Sequence, residues 1–330
     1  MPRIHFYGFR ISIALMLLTC GAARCDSDEP GPSPDASDAI IERGQPMRIR
    51  VRCGFRLEAA DGNLQRATAT APIPFDWPEQ QVELVESTVP DERRVQSRRV
   101  GDTAQQMVVS IPSLARGGSV TCVRTYEVTR WTQRLTPDAA SRIRAVPAAR
   151  VRTYLTPSEG IESTHAEIRQ LASEATEGKA ELLERAAAIF AVTRERIKYV
   201  ESSFGGALKG LRAGEGDCEE LSCLFAALCR ASGIPARLVR GPNHSWAEFA
   251  VLGPDDKIIW IPADPAKERE IGVLGHRTPI IHKGDRFTLA ETPGRTPHAI
   301  GPTCSGVGSK PRIEAIEEFT LVADKLQPPR

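Results

Sequence analysis

Residues 217–235 read Asp-Cys-Glu-Glu-Leu-Ser-Cys-Leu-Phe-Ala-Ala-Leu-Cys-Arg-Ala-Ser-Gly-Ile-Pro. Asp217 suits a helix N-cap with Glu220 at the third helical position, an acidic form of the capping box, while Gly233 stops the helix and Pro235 forbids its continuation. Leu221, Leu224, Phe225 and Leu228 recur at helical spacing and make a buried stripe. Cys218 therefore falls on the first turn, where unpaired backbone N–H groups and the positive end of the helix dipole favour an anion. Such a setting is expected to lower a thiol's pKa from its free value of about 8.5. Cys223 and Cys229 fall inside the helix, where cysteine usually acts as a small apolar residue.

Just downstream the pattern changes to strands: Ala236 to Gly241, a turn at Pro242-Asn243, His244 to Leu252, a turn at 253–256, and Lys257 to Ile261. These predict a small antiparallel sheet behind the helix. His244 opens one strand and Asp264 lies just past the end of the next, so a hairpin brings them close. Packing that sheet on the start of the Cys218 helix would assemble nucleophile, base and orienter. The imidazole would take the thiol proton, and the carboxylate would fix the ring's tautomer. A lone cysteine at a helix start is more often structural; it is the ordered set that carries weight. His276 and His282 are competing bases, read as surface histidines because neither sits in a matching motif. Ser222 and Ser245 lack a G-x-S-x-G setting. Cys218, Cys223 and Cys229 have no second ligand cluster, so no metal is expected, and Cys218 and Cys223 are not spaced as a redox C-x-x-C pair.

Upstream, helical periodicity runs from Ser163 to Gly178 and from Lys179 to Lys198, the latter presenting Leu182, Leu183, Ala186, Ile189, Phe190 and Ile197. Phe204 to Gly216 holds five glycines without a terminal GK[ST], and reads as a loop that cradles no phosphate. Nearer the N-terminus, Met47, Ile49, Val51, Cys53, Phe55 and Leu57 alternate with Arg48, Arg50, Arg52 and Arg56, the mark of a half-buried antiparallel strand with a solvated arginine row. Further strands are expected at Gln81–Val89, Met107–Ile111 and Ser119–Thr129, giving a small β-sandwich over 45–135. A connector covers 136–160, and 276–330 reads as a C-terminal extension in which 313–322 is strand or helix. Cys53 and Cys122 share the β region, and an exported protein could pair them; spacing does not decide it.

Arg3, His5 and Arg10 precede an apolar run from Ile11 to Leu18 and small residues to Ala23, the pattern of a secretory signal peptide over 1–23. Leu17-Leu18-Thr19-Cys20 also approximates a lipobox that would anchor the protein by lipid at Cys20, although Thr before the cysteine is unusual. Residues 24–44, rich in Asp, Pro and Ser, read as a polar tether. No run is long enough for an integral membrane span. With 330 residues, 41% hydrophobic and 26% charged, the chain is neither disordered nor fibrous. Its 43 basic and 42 acidic side chains nearly cancel, which gives no field for nucleic acid.

The motifs Gly216-Asp217-Cys218, Arg230 to Arg237, His244-Ser245-Trp246-Ala247-Glu248 and Trp260 to Asp264 together resemble the transglutaminase-like superfamily, the papain-related Cys-His-Asp enzymes, over residues 161–272. The resemblance implies an α+β, papain-like transglutaminase-core domain at 161–275 behind the all-β sandwich. It assigns Cys218 as nucleophile, His244 as general base and Asp264 as third member, with Tyr199, Asp217, Asn243 and Trp246 about a substrate cleft. It implies a protein or peptide substrate and no cofactor, while the signal-peptide pattern implies an exported location in periplasm or medium and so a substrate of the cell envelope. Glu219 stands where calcium-dependent animal transglutaminases have Trp, and no EF-hand loop occurs, so calcium is not implied. Asp217 and Glu219 are expected to face away from the thiol. The expected chemistry is a thioester acyl-enzyme resolved by water, as in a cysteine peptidase or amidase, in preference to an amine, as in cross-linking. The alternative is an inactive module that binds an envelope polypeptide.

Overall fold

The alternation around Met47–Leu57 belongs to a longer strand, β1 (Ile41–Glu58), in the computed structural model, which describes residues 40–201 and 205–322. Ile49, Val51, Cys53, Phe55 and Leu57 of β1 are buried, and the four arginines between them are exposed. The signal peptide with Cys20, and the tether as far as residue 39, lie outside the described residues. The end of the tether does not: Ile40 and Ile41 are buried under the helical half.

β1 is flanked by β6 (Ser119–Leu135) and β15 (Arg312–Leu321); β3 (Gln80–Thr88) and β12 (Val273–Leu274) also pair with β6. A second sheet runs β14 (Thr303–Gly308), β2 (Leu64–Pro72), β5 (Ala104–Leu114), β4 (Val95–Val100). Their inward side chains, among them Val51 and Phe55, Ala69, Met107 and Val109, Tyr126 and Val128, share one core. The stretch read as an extension is woven in, since β15 pairs with β1 and β14 with β2. Both are sheet-edge strands with few buried residues, so they carry little of the alternation by which an inner strand announces itself. Cys53 and Cys122 are buried and unbonded; burial lifts the Cys122 thiol to about 11 and, with Glu317 nearby, lifts Cys53 as well.

The helical half contains α1 (Ala139–Arg142), α2 (Ala166–Thr176), α3 (Leu182–Arg196), α4 (Gly206–Ala213) and α5 (Cys218–Ala231). β7 (Lys198–Tyr199) and β8 (Glu215–Gly216) pair in parallel just ahead of α5. α5 is buried from Glu220 to Arg230. Its Phe225 ring lies 6.0 Å from Phe190 of α3 and 6.3 Å from Phe249 on the sheet behind, the kind of aromatic contact that fixes a core. The glycine-rich segment expected as a loop is helix α4. A Cβ on Gly210 would lie 2.8 Å from Cβ of Glu220 and 3.0 Å from Cδ1 of Ile197, so the glycine serves close packing of α4 on α5 and not flexibility.

The third sheet runs β11 (Ile258–Ala263), β10 (His244–Leu252), β9 (Ala236–Gly241), β13 (His282–Lys283). Ala247, Phe249 and Val251 of β10 face the α5 core, while Trp246 and Ala250 enter other clusters. Between β12 and β13 the chain passes from the first sheet to the third, closely over Gly241, where a Cβ would meet the Pro279 carbonyl at 2.2 Å. A buried ion network spans the same seam. Lys283 Nζ lies 2.5 Å from Glu79 and 2.6 Å from Glu248, and Arg237 reaches Glu248 at 2.8 Å. Burial alone would raise the Glu79 carboxyl; Lys283, with Arg130 behind it, overcomes that and holds it at about 2. Among the described residues no helix is long and apolar enough to cross a membrane.

Candidate active site

The capping box expected at 217–220 is present. The Asp217 carboxylate accepts from Glu219 N at 2.7 Å, and the Glu220 carboxylate accepts from Asp217 N at 3.0 Å. The other Glu220 oxygen accepts from Gly205 N at 2.8 Å, so the turn carrying Cys218 is held on two sides. One turn on, the Ser222 hydroxyl lies 2.6 Å from the Cys218 carbonyl oxygen and 3.2 Å from that of Ser245, which ties the start of α5 to the start of β10. The Ser245 backbone N–H is directed at the Cys218 thiol.

The β9–β10 hairpin turns on Pro242 and Asn243, the latter exposed at φ +56°, a left-handed conformation that Asn tolerates better than most residues. His244 is thereby set at the head of β10. Asp264 follows β11, whose Ala263 pairs with Ala247 of β10. His244 Nε2 and Asp264 Oδ2 are 2.6 Å apart, both buried. Asp264 Oδ1 accepts from the N–H groups of Ala266 at 3.0 Å and Lys267 at 3.1 Å. Burial would raise the Asp264 carboxyl, but hydrogen bonds from His244 and His276 hold it well below the usual carboxylate range. An ionised carboxylate only accepts, so the His244 hydrogen resides on Nε2 and the Nδ1 lone pair is left for another proton.

His276 and His282 are not the surface residues expected. His276 Nε2 lies 2.9 Å from Asp264 Oδ2, its Nδ1 accepts from Thr278 N at 3.3 Å, and its ring stands edge-on to His244 and Trp246 at 5.0 and 5.2 Å. His282 is buried, accepts from Ile300 N at 3.4 Å, and is pushed well below the ordinary imidazole pKa by burial. Both sit in or beside very short strands whose burial comes from distant parts of the chain, which leaves no local periodicity. One ring nitrogen from each of His244 and His276 and one Asp264 oxygen lie within 4.8 Å of one another.

Trp246 is wholly buried, stacked on the His244 ring at 5.8 Å and 23°, so it backs the histidine and does not line a cleft. Tyr199 is exposed and pairs through β7 with Gly216, two residues before Cys218. Its phenol is raised by partial desolvation and by the neighbouring Cys218 and Asp217. Glu219 forms an ion pair with Arg240, itself a neighbour of the thiol, and Asp217, expected to face away, caps the helix yet bears on the thiol. The thiol itself departs from expectation. Burial raises the Cys218 pKa, Asp217 and Asp264 raise it further, and the Ser245 N–H and Arg240 only partly counter them. Desolvation outweighs the helix terminus, so Cys218 rests as a thiol that needs a base. Arg240 and Ser222 were invisible as site residues because their roles depend on register: Arg240 lies opposite Ser245.

Residues 169–265 match the transglutaminase-like superfamily. Among solved structures, a candidate cysteine protease from Cytophaga hutchinsonii is similar, with 15% identity over 88% of this chain and 95% of that one and a TM-score of 0.61. The periplasmic domain of TgpA from Pseudomonas aeruginosa, bound to ethylmercury, aligns at 16% identity over 70% and 92% of the two chains with a TM-score of 0.32. No curated protein matches the sequence. The matched residues carry both the Cys-bearing helix and the His-bearing sheet, so it is this region, 169–265, that is similar to the transglutaminase-like superfamily.

Proposed function

We propose that the protein is a thiol-dependent acyl-transfer enzyme acting on peptide or protein amides, with Cys218 as nucleophile, His244 as general base and Asp264 as the residue that orients it. The observation that carries the reading is the 2.6 Å bond from His244 Nε2 to the buried Asp264 carboxylate, at the strand head whose next N–H faces the Cys218 thiol. His244 Nδ1 accepts the thiol proton as Sγ attacks the amide carbon. The backbone N–H of Cys218, at the start of α5, is a donor for the oxyanion that forms. Collapse of the tetrahedral adduct breaks the C–N bond, the imidazolium gives its proton to the departing amine, and a Cys218 thioester remains. Water, deprotonated by His244, then releases the acid and restores the thiol; an amine in its place would give a new amide. Asp264 stays ionised throughout. Hydrolysis is favoured because water is always present at a site beside an exposed Tyr199. The Arg3 to Ala23 pattern supports an exported location, with a cell-envelope polypeptide as substrate.

The test is acyl-enzyme trapping. Protein lacking residues 1–23 is incubated with p-nitrophenyl esters of short N-blocked peptides, quenched in acid and weighed by mass spectrometry. An acyl adduct on the Cys218 peptide, released by hydroxylamine and missing in Cys218→Ser, is expected; a dansylated amine included in the reaction divides transfer from hydrolysis. A folded protein that forms no such adduct would be a binding module on the same scaffold.

A further inference from the structure

We infer that His276 is a positioning residue of this site, a second imidazole that fixes the Asp264 carboxylate so that His244 keeps its Nε2 hydrogen and offers Nδ1 to Cys218. The inference rests on the triad reading above. It starts from the lone pairs of a fully buried carboxylate. Asp264 Oδ1 accepts from Ala266 N and Lys267 N, and Oδ2 accepts from His244 Nε2 at 2.6 Å and His276 Nε2 at 2.9 Å, four donors in all. Every acceptor site of the ionised group is thus used. Oδ1 is pinned by backbone alone; the direction of Oδ2, on which the His244 ring plane depends, is set between the two imidazoles.

The tautomer of His276 follows from its other nitrogen. Thr278 N–H donates to Nδ1, so the ring's hydrogen is on Nε2 and points at Asp264. With one nitrogen accepting and the other donating, neutral His276 has no free lone pair with which to take the thiol proton, and it is no rival to His244 as base. Its own placement is stiff. The chain is pinned on one side by the pairing of β12 with β6 and on the other by that of β13 with β9, and the Thr278 carbonyl accepts from the buried Arg130 guanidinium at 3.3 Å. The ring packs edge-on against both His244 and Trp246. A group that orients the orienter acts through geometry, and small misplacement of a reacting group is costly.

The probe is iodoacetamide, because it needs no identified substrate. The second-order alkylation rate of Cys218 is measured peptide by peptide from pH 5 to 9 in EDTA, for wild type, His244→Ala, His276→Phe and His276→Gln. Phe keeps the edge-on ring and removes the donor; Gln keeps an N–H that can reach Asp264. Wild type is expected to show a labelling plateau near neutral pH that His244→Ala loses. His276→Phe should lower that plateau about tenfold in a protein that is still folded, and His276→Gln should stay within about threefold of wild type. If His276→Phe does not fold, His276→Asn, whose amide falls short of Asp264, replaces it with the same expectation. A plateau kept in full by the Phe or Asn variant, or lost equally in Gln, overturns the role of His276 and leaves the triad standing. A wild-type profile identical to that of His244→Ala overturns the triad reading itself.

Discussion

Asp217 acts on Cys218 in two opposed ways. Its carboxylate caps α5 and so places the thiol on the first turn, while its charge helps to hold the thiol protonated. Asn caps as well as Asp and carries no charge. Asp217→Asn should therefore move the Cys218 alkylation profile toward lower pH at unchanged stability; a shift upward would mean that the charge acts chiefly by orienting the turn. Ser222→Ala removes the hydroxyl that bridges the Cys218 and Ser245 carbonyl oxygens, and a loss of about 1 kcal/mol in urea unfolding is expected, the usual net worth of one buried hydrogen bond. At this scale the sequence was legible where a residue type and a local motif coincide, as at Cys218 after a capping Asp, or His244 and Asp264 at strand ends. His276, Arg240 and Ser222 have no such local mark. For Arg240 the partners come from pairing register, for Ser222 in part from the facing strand, and for His276 from the crossover between β12 and β13.

The elements divide in the same way. α5 and strands β9 to β11 could be read because cap, stop signal and alternation all lie within a few residues of one another. α4 could not, since its glycines imitate a loop while serving contact with Glu220 and Ile197. Gly210→Ala, favourable in an isolated helix, is expected to push α4 off α5 and cost about 1–3 kcal/mol, read from the urea midpoint. β2 escaped notice because its inward residues are Ala67, Ala69 and Ala71, small groups whose burial depends on the opposite sheet.

Across the whole molecule the buried charges at the seam decide how stability follows pH. Glu79 titrates at about 2 in the folded protein, against about 4.3 unfolded. The folded state thus binds fewer protons, so the contribution of Glu79 is complete above the unfolded value and is lost as pH falls toward 2. His282 adds an earlier step. Burial, with Arg240 and His298 nearby, keeps it neutral when folded, so stability declines once pH drops below the unfolded imidazole value of about 6.5. Urea midpoints between pH 7 and 3 should fall in these two stages. Lys283→Met strands Glu79 and Glu248 against each other's charge, should cost about 3–5 kcal/mol at pH 7, and should flatten the acid stage.

The claim on which the rest depends is that Cys218 reacts through His244. It is tested by the rate at which iodoacetamide labels Cys218 at pH 6.5, well below the ordinary thiol range of about 8.5, in the wild type and in His244→Ala. The account predicts rapid labelling of the wild type and, in the variant, only a slow reaction that rises above the ordinary thiol range, because burial lifts a thiol that has lost its base. Equal rates in the two folded proteins would contradict it.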